Sequence, residues 1–172
     1  MPDCSDSLND PSRLKAVAEV MAATVAERQA LDDLAAKAAA ILKTPISLIT
    51  FVNAEGQYFR GEFGLPATLA VIRRMPISYS ICQFMIGDPR RLLIPDTEIH
   101  PLLSGHPSVV EMGIRAYLGI PLLLAEGCPI GSLSFVDYVP RHWTAAETSH
   151  AEALATETVN FLNTAVGRHR SA

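Results

Sequence analysis

Residues 114–137, "IRAYLGIPLLLAEGCPIGSLSFVD", constrain this chain more than any other stretch. Two apolar runs are separated by a short polar turn at 125–128, the pattern of an antiparallel β-hairpin. Successive side chains of a strand point to opposite faces. In the first run Ala116, Leu118, Ile120, Leu122 and Leu124 share one face, and Tyr117, Gly119, Pro121 and Leu123 share the other. In the second, Leu133 and Phe135 lie opposite Ile130, Ser132, Ser134 and Val136. If the large residues form one packed face, the other presents Gly119, Ser132 and Ser134 at the middle of the sheet. Such a face must be covered by another segment or left as a cavity. The pattern alone leaves both readings open.

The remaining elements follow from periodicity. Residues 1–10 read as a disordered terminus, and Asp10-Pro11-Ser12 as a helix start. Leu14, Val17, Ala18, Met21 and Val25 recur at helical spacing, followed by Leu31, Leu34, Ala35, Ala38, Ile41 and Leu42; these belong to one helix or two. Thr44-Pro45 ends the helical stretch. "ISLITFVNAEGQYFRGEFG" reads as a second hairpin, with Phe59, Gly61 and Phe63 on the buried side and Tyr58, Arg60 and Glu62 on the wetter one. Residues 64–113 carry Pro66, Pro76, Pro89, Pro95, Pro101 and Pro107, which forbid long helices and central strands. Within them, 80–86 reads as a short helix or an edge strand, "RRLLIPD" as a short strand, and 109–112 as a helical turn. Thr144-Ala145-Ala146-Glu147 is a capping box. It opens a helix with Ala151, Leu154, Ala155, Thr158, Phe161, Leu162 and Ala165 on one stripe, ending near Gly167.

The expected fold is therefore α+β: a central antiparallel sheet with terminal helices on one face and a loop and short-helix cover on the other. One domain spans 11–167, with 168–172 as a tail.

Composition narrows the function. The net charge is -4, the pI about 5.7, and no basic stripe marks a nucleic-acid surface. No apolar run is long enough for a membrane span, and the polar "MPDCSDSLND" is not a secretory signal. The three cysteines, Cys4, Cys82 and Cys128, show no CxxC pair and no metal-ligand spacing. Reduced thiols and a cytoplasmic location are the expectation. No Ser-His-Asp arrangement, paired-acid motif or HExxH points to catalysis, so the chain is expected not to be an enzyme.

The chain resembles the GAF domain family of small-molecule-binding regulatory modules over residues 31–162. The resemblance is carried by "TPISLITFVNAEGQYFRGEFGLP", "PISYSICQFMI", "LLIPDT" and "IRAYLGIPLLLAEGCPIGSLSFVDYVPRHWTAAE". It implies a PAS-related sheet with the pocket opposite the terminal helices, and homodimerisation through those helices. It also implies a sensory role in signal transduction, with a downstream signalling protein as partner. The candidate ligand-binding residues are Tyr79, Ser80, Cys82, Asp96, Arg115, Tyr117, Ser132 and Ser134. Arg115, Ser80 and Ser134, with the Tyr117 hydroxyl, form a polar set for a small anion.

The residues name no cofactor. Bilin-binding relatives usually show Cys followed by His, whereas Gln83 follows Cys82 here. His100 and His106 sit beside prolines and read as loop histidines, not haem ligands. A cyclic nucleotide would take Arg60, Arg115 or the helix end after Pro107 as phosphate partners, but the family's cyclic-nucleotide pattern is not evident. Reduction of free methionine sulfoxide requires a resolving thiol near the nucleophile, and Cys128 falls in a hairpin turn. The rival readings are a dimerisation or scaffold domain with a filled pocket and a thiol-based redox sensor.

Overall fold

Asp10 opens the first helix by accepting a hydrogen bond from Arg13 N at 2.7 Å, with Pro11 at the first helical position. The structure, a computed structural model, describes residues 8–124 and 127–172. The bulk of the expected disordered terminus, Cys4 and two residues of the hairpin turn lie outside the described residues. Leu8 is buried.

The amino-terminal helical stretch is two helices, α1 (Pro11–Ala23) and α2 (Arg28–Leu42), joined by a 3₁₀ turn (Val25–Glu27). The buried stripe of α1 is Arg13, Val17, Val20 and the following Thr24. It is rotated from the expected stripe: Ala18 is exposed, and Val25 is 72% exposed because the helix breaks before it. Arg13 is buried by reaching across the chain; its guanidinium donates to the carbonyls of Leu8 and Val52 at 2.9 and 2.7 Å. On α2 the expected stripe holds except at Ile41, which is exposed. That helix ends in a left-handed Lys43 (φ 53), just ahead of the Thr44-Pro45 stop.

Six strands form one antiparallel sheet: β1 (Ile46–Val52), β2 (Gly56–Phe63), β3 (Arg74–Pro76), β4 (Leu92–Ile94), β5 (Ala116–Leu124) and β6 (Cys128–Asp137), in the order β3-β2-β1-β6-β5-β4. β1 and β6 pair in the centre, so the two hairpins share a seam. Between β2 and β5 lie α3 (Ala67–Ile72), a 3₁₀ turn (Ile77–Tyr79), α4 (Phe84–Gly87) and α5 (Pro107–Val110). The proline-rich insert is thus a chain of short elements, and the 80–86 segment resolves as a turn leading into α4.

Two β-bulges correct the expected face assignments. In β2, Gly61 pairs with Ile49 and Phe59 with Thr50, leaving Arg60 as the extra residue. Phe59 therefore faces the insert while Gly61 faces α2, where a Cβ would sit 2.4 Å from the Leu31 carbonyl oxygen. In the second hairpin Leu122 pairs with Gly131 and Leu123 with Pro129, so Ile130 is extra and turns to the helix side. Phe63, expected on the buried side, is 45% exposed.

The carboxy-terminal helix α6 (Ala145–Ser171) begins with the predicted capping box: Thr144 Oγ1 accepts from Glu147 N, and Glu147 accepts from Thr144 N at 2.8 Å. Before it, Trp143 is buried and donates to the Ile94 carbonyl at 3.1 Å, while the Arg141 guanidinium lies over its ring. The helix does not end near Gly167. It continues to Ser171 because Arg168 and Arg170 pair with Glu27 and Glu19, and cations suit a helix carboxy terminus.

The helices pack on one face of the sheet. Val17, Val20, Leu31 and Ala35 meet Ala151, Leu154 and Leu162 over Phe51, Leu118, Leu122, Leu133 and Phe135. The insert closes the other face, where Leu48, Val52, Phe59, Met75, Met85, Tyr117 and Val136 form a second core. Among the described residues no helix is long and apolar enough to cross a membrane, and no cluster of His, Cys, Asp and Glu has the makings of a metal site.

Candidate functional site

Strand alternation places Tyr117 on β5 and Ser132 and Ser134 on β6 toward the insert. The turn before α4 lays Cys82 over them. The two serine hydroxyls are 2.8 Å apart, Ser132 donates to Cys82 Sγ at 3.0 Å, and Tyr117 OH lies 2.8 Å from Ser134 Oγ and 3.3 Å from Cys82 Sγ. All four side chains are buried. Burial, followed by the adjacent thiol, pushes the Tyr117 phenol well above its ordinary pKa, so it stays protonated. The cluster is a set of hydroxyl and thiol groups that serve one another as donors and acceptors.

The small residues of the hairpin have separate causes. A Cβ on Gly131 would sit 1.8 Å from the Thr50 carbonyl oxygen, so glycine there permits the close approach of β1. A Cβ on Gly119 would sit 2.5 Å from Met85 Cε, so that space is filled by the insert. Ser132 and Ser134 serve the hydrogen-bonded cluster. The open space lies alongside, toward β1 and β2.

That space is a cavity of about 360 Å³ between the sheet and the insert. Leu48, Phe59, Leu69, Met75, Ile114 and Val136 form apolar walls. Cys82, Tyr117 and Ser134 present the edge of their cluster, while Gln57, Ser108, Tyr79 and Glu111 add polar atoms. At the mouth Tyr79 OH donates to Glu111 at 2.5 Å, which raises the Tyr79 pKa. Ser108 Oγ donates to the Tyr79 carbonyl. Among the described residues no lysine, arginine or histidine lines the cavity.

Of the eight residues expected at the site, Tyr79, Cys82, Tyr117 and Ser134 line the cavity, and Ser132 supports it from beneath Cys82. Ser80 is buried but caps its own turn, accepting from Gln83 N at 3.2 Å. Asp96 and Arg115 pair with each other at 3.1 Å, with Glu98 adding a second carboxylate, and neither lines the cavity. The Arg115 hydrogen bond holds the Asp96 carboxyl below its usual range. The anion-binding set of Arg115, Ser80 and Ser134 is therefore not assembled. Gln83 Nε2 is engaged with the carbonyls of Ile77 and Ser80. Sequence reasoning missed Gln57, Met75, Ser108 and Glu111. Gln57 shares strand parity with Phe59, Ser108 borders the expected helical turn at 109–112 and Glu111 lies within it, so both signals are present in the sequence.

A sheet covered by terminal helices on one face and a cavity-bearing insert on the other matches the family model described as GAF domain over residues 27–166. The chain belongs to the GAF domain family. It is 33% identical over 114 residues to a cyclic di-GMP phosphodiesterase of Pseudomonas aeruginosa, a match covering 66% of this chain and 19% of that protein. The chain thus spans about a fifth of the length of that relative. The blue-light-absorbing form of the PixJ GAF domain from Thermosynechococcus elongatus superposes with a TM-score of 0.70 at 19% identity, covering 86% of this chain and 92% of that one. The GAF domain of an Acinetobacter phosphoenolpyruvate-protein phosphotransferase gives 0.65 at 13% identity, covering 93% and 94%. A type II free methionine-R-sulfoxide reductase from Thermoplasma acidophilum gives 0.65 at 8% identity, covering 83% and 96%. At these identities the structural likenesses establish a shared fold, and chemistry has to be argued from this GAF domain's own residues.

Proposed function

We propose that this GAF domain is a sensory module that takes an uncharged, largely apolar small molecule between its sheet and its insert. The observation that carries this reading is the cavity of about 360 Å³ with apolar walls and hydroxyl and thiol groups at one end. An anion would meet Glu111 and no cation there. A neutral molecule with one hydrogen-bonding group suits Tyr117, Ser134 and Gln57. The relation to a cyclic di-GMP phosphodiesterase supports a role in controlling a signalling enzyme, with the terminal helices carrying the change of state. A ligand alters that output only by binding two conformations with different affinity.

The experiment is native mass spectrometry of the purified protein, followed by a thermal-shift screen of neutral aromatic and aliphatic metabolites. A ligand of the native state at a hundredfold excess over its Kd stabilises by about 2.7 kcal/mol. Leu48→Trp, which fills the cavity from β1, should abolish the shift while the variant remains folded. A shift retained in Leu48→Trp would overturn the proposal. Failure of every neutral compound would favour the scaffold reading with homodimerisation through the helices, checked by sedimentation. A response to peroxide lost in Cys82→Ser would favour the thiol sensor.

A further inference from the structure

A second recess lies at the opposite side of β2, where the break between α1 and α2 meets the β3 edge. It has a volume of about 320 Å³. Arg28, Arg60, Arg73 and Arg74 all line it, in a chain whose net charge is -4. Two carboxylates answer only one of them: Asp32 and Glu62 both pair with Arg73, at 2.7 and 3.5 Å. Among the described residues no carboxylate lies within ion-pair distance of Arg28, Arg60 or Arg74.

Arg60 is the extra residue of the β2 bulge, so an irregularity in the strand aims it here. It is partly buried, and its Nη2 donates to the Met21 carbonyl at 3.0 Å and to Thr24 Oγ1 at 3.2 Å. Its Nε and Nη1 have no partner among the described residues. Burial and the neighbouring Arg73 charge both weigh against the Arg60 cation, and a bound anion would relieve both. Arg74 lies over the Tyr58 ring at 5.7 Å, which orients its guanidinium. Val25 and Ile72, 72% and 61% exposed, add apolar surface to the same recess.

We infer that this recess binds a phosphate ester with an apolar or planar body, of the mononucleotide class. Arginine forks match phosphate oxygens in geometry and charge. The volume falls at the lower end of the range for small-molecule sites. Val25 and Ile72 supply the surface for the body of the ligand. Because Arg60 holds the Met21 carbonyl and Thr24 at the α1–α2 break, occupancy acts on the junction of the amino-terminal helices. The site shares only the Phe59 wall with the uncharged cavity, and none of its arginines lines that cavity.

The test is amide-resolved NMR titration of the whole chain with adenosine monophosphate, and in parallel with adenosine and with inorganic phosphate. Adenosine monophosphate should shift the amides of Thr24, Val25, Tyr58 and Arg74 and bind at least tenfold more tightly than either fragment. Raising the salt should weaken it. Arg28→Ala combined with Arg74→Ala, both exposed positions, should weaken it at least tenfold with the fold unchanged, and Arg60→Met should do the same where its spectrum remains native. Unaltered binding in the Arg28→Ala, Arg74→Ala variant would overturn the inference. So would the absence of shifts at these amides, or shifts confined to the Tyr117 cavity. Leu48→Trp should leave this titration unaffected, which separates its outcome from that of the proposed sensory site.

Discussion

The helix face and the insert face belong to the same six strands and are filled by different means. On the helix face, long regular helices bring Leu, Val and Ala against the Leu, Ile and Phe side chains of the strands. On the insert face the covering segment is broken by prolines into pieces of a few residues, which cannot present a continuous apolar stripe. The gaps are filled by Met85 over Gly119 and by the Cys82–Tyr117–Ser132–Ser134 hydrogen bonds, and a cavity lies beside them. A regular cover makes a core. Here the irregular cover makes a site, since it leaves room and polar groups together.

The largest test of this contrast is on the helix face. Phe135 is fully buried between the sheet and the helices, and Phe135→Ala should lower the unfolding free energy by about 3–5 kcal/mol. Denaturant titration measures it. Leu69→Ala, on the wall of the insert cavity and only partly buried, should lose much less. Equal losses would break the comparison.

Next come the two glycines of the hairpin. Gly131→Ala forces a Cβ against a backbone oxygen of a central strand, which cannot yield, and should destabilise by about 3 kcal/mol. Gly119→Ala meets Met85 Cε, the far end of a flexible side chain, and the Tyr117 ring edge, so its loss should be smaller, about 1 kcal/mol. The same unfolding measurement compares the pair. If Gly119→Ala proved the worse of the two, Met85 would be a fixed part of the insert and not an adaptable filler.

These glycines mark the limit of what the chain discloses before it is folded. The hairpins, the capping box at Thr144 and the division into a packed face and a small-residue face follow from periodicity, which is local. The bulges at Arg60 and Ile130 do not, because an extra residue in a strand shows only against its partner. Each one turned the residues beyond it to the other face, so Phe59 and Gly61 separated and Arg60 moved to the second recess. The Cys82 cluster was legible in its parts, since Tyr117, Ser132 and Ser134 share strand parity. That Asp96 would claim Arg115 was not, because two charged residues flanking a proline-rich stretch have many possible partners. The same holds for why the hairpin carries small residues: sequence shows missing bulk, and only packing shows whether a backbone, a methionine or a cavity takes its place.

A subtler change probes the insert face itself. Tyr117→Phe deletes one hydroxyl from the buried cluster and leaves Ser134 with Ser132 at 2.8 Å and the longer 3.7 Å contact to Cys82 Sγ, a loss of about 1–2 kcal/mol in unfolding free energy. The corresponding loss in affinity for a neutral ligand should appear in the thermal-shift screen. A Tyr117→Phe variant as stable as the parent would mean that the cluster does not hold the insert to the sheet.

The smallest effect is one of pH. His106 caps α5, its Nδ1 accepting from Ser108 N at 3.3 Å, while its ring stands edge-on to Phe84 and its Nε2 is buried without a partner. Burial lowers its pKa below the ordinary value of 6.5, so the folded chain holds the ring neutral more strongly than the unfolded chain does. Between the lowered folded pKa and 6.5 the unfolded state binds more protons, and stability falls as pH falls. The contribution is complete above the unfolded value and is lost as the pH drops through the folded one. Protonation also takes away the Nδ1 lone pair that accepts from Ser108, and Ser108 in turn holds the Tyr79 carbonyl beside the cavity mouth. The insert should therefore loosen first, while the helix-side core, an apolar cluster with no histidine among its members, does not respond. Amide hydrogen exchange, corrected for its intrinsic pH dependence, should show faster opening at Tyr79 and Ser108 below neutrality and no change in β1 or α6. His106→Asn keeps a good cap without a titrating group and should remove the difference. Equal acceleration on both faces would mean that the two covers open as one unit, and that the insert has no stability of its own for a ligand to alter.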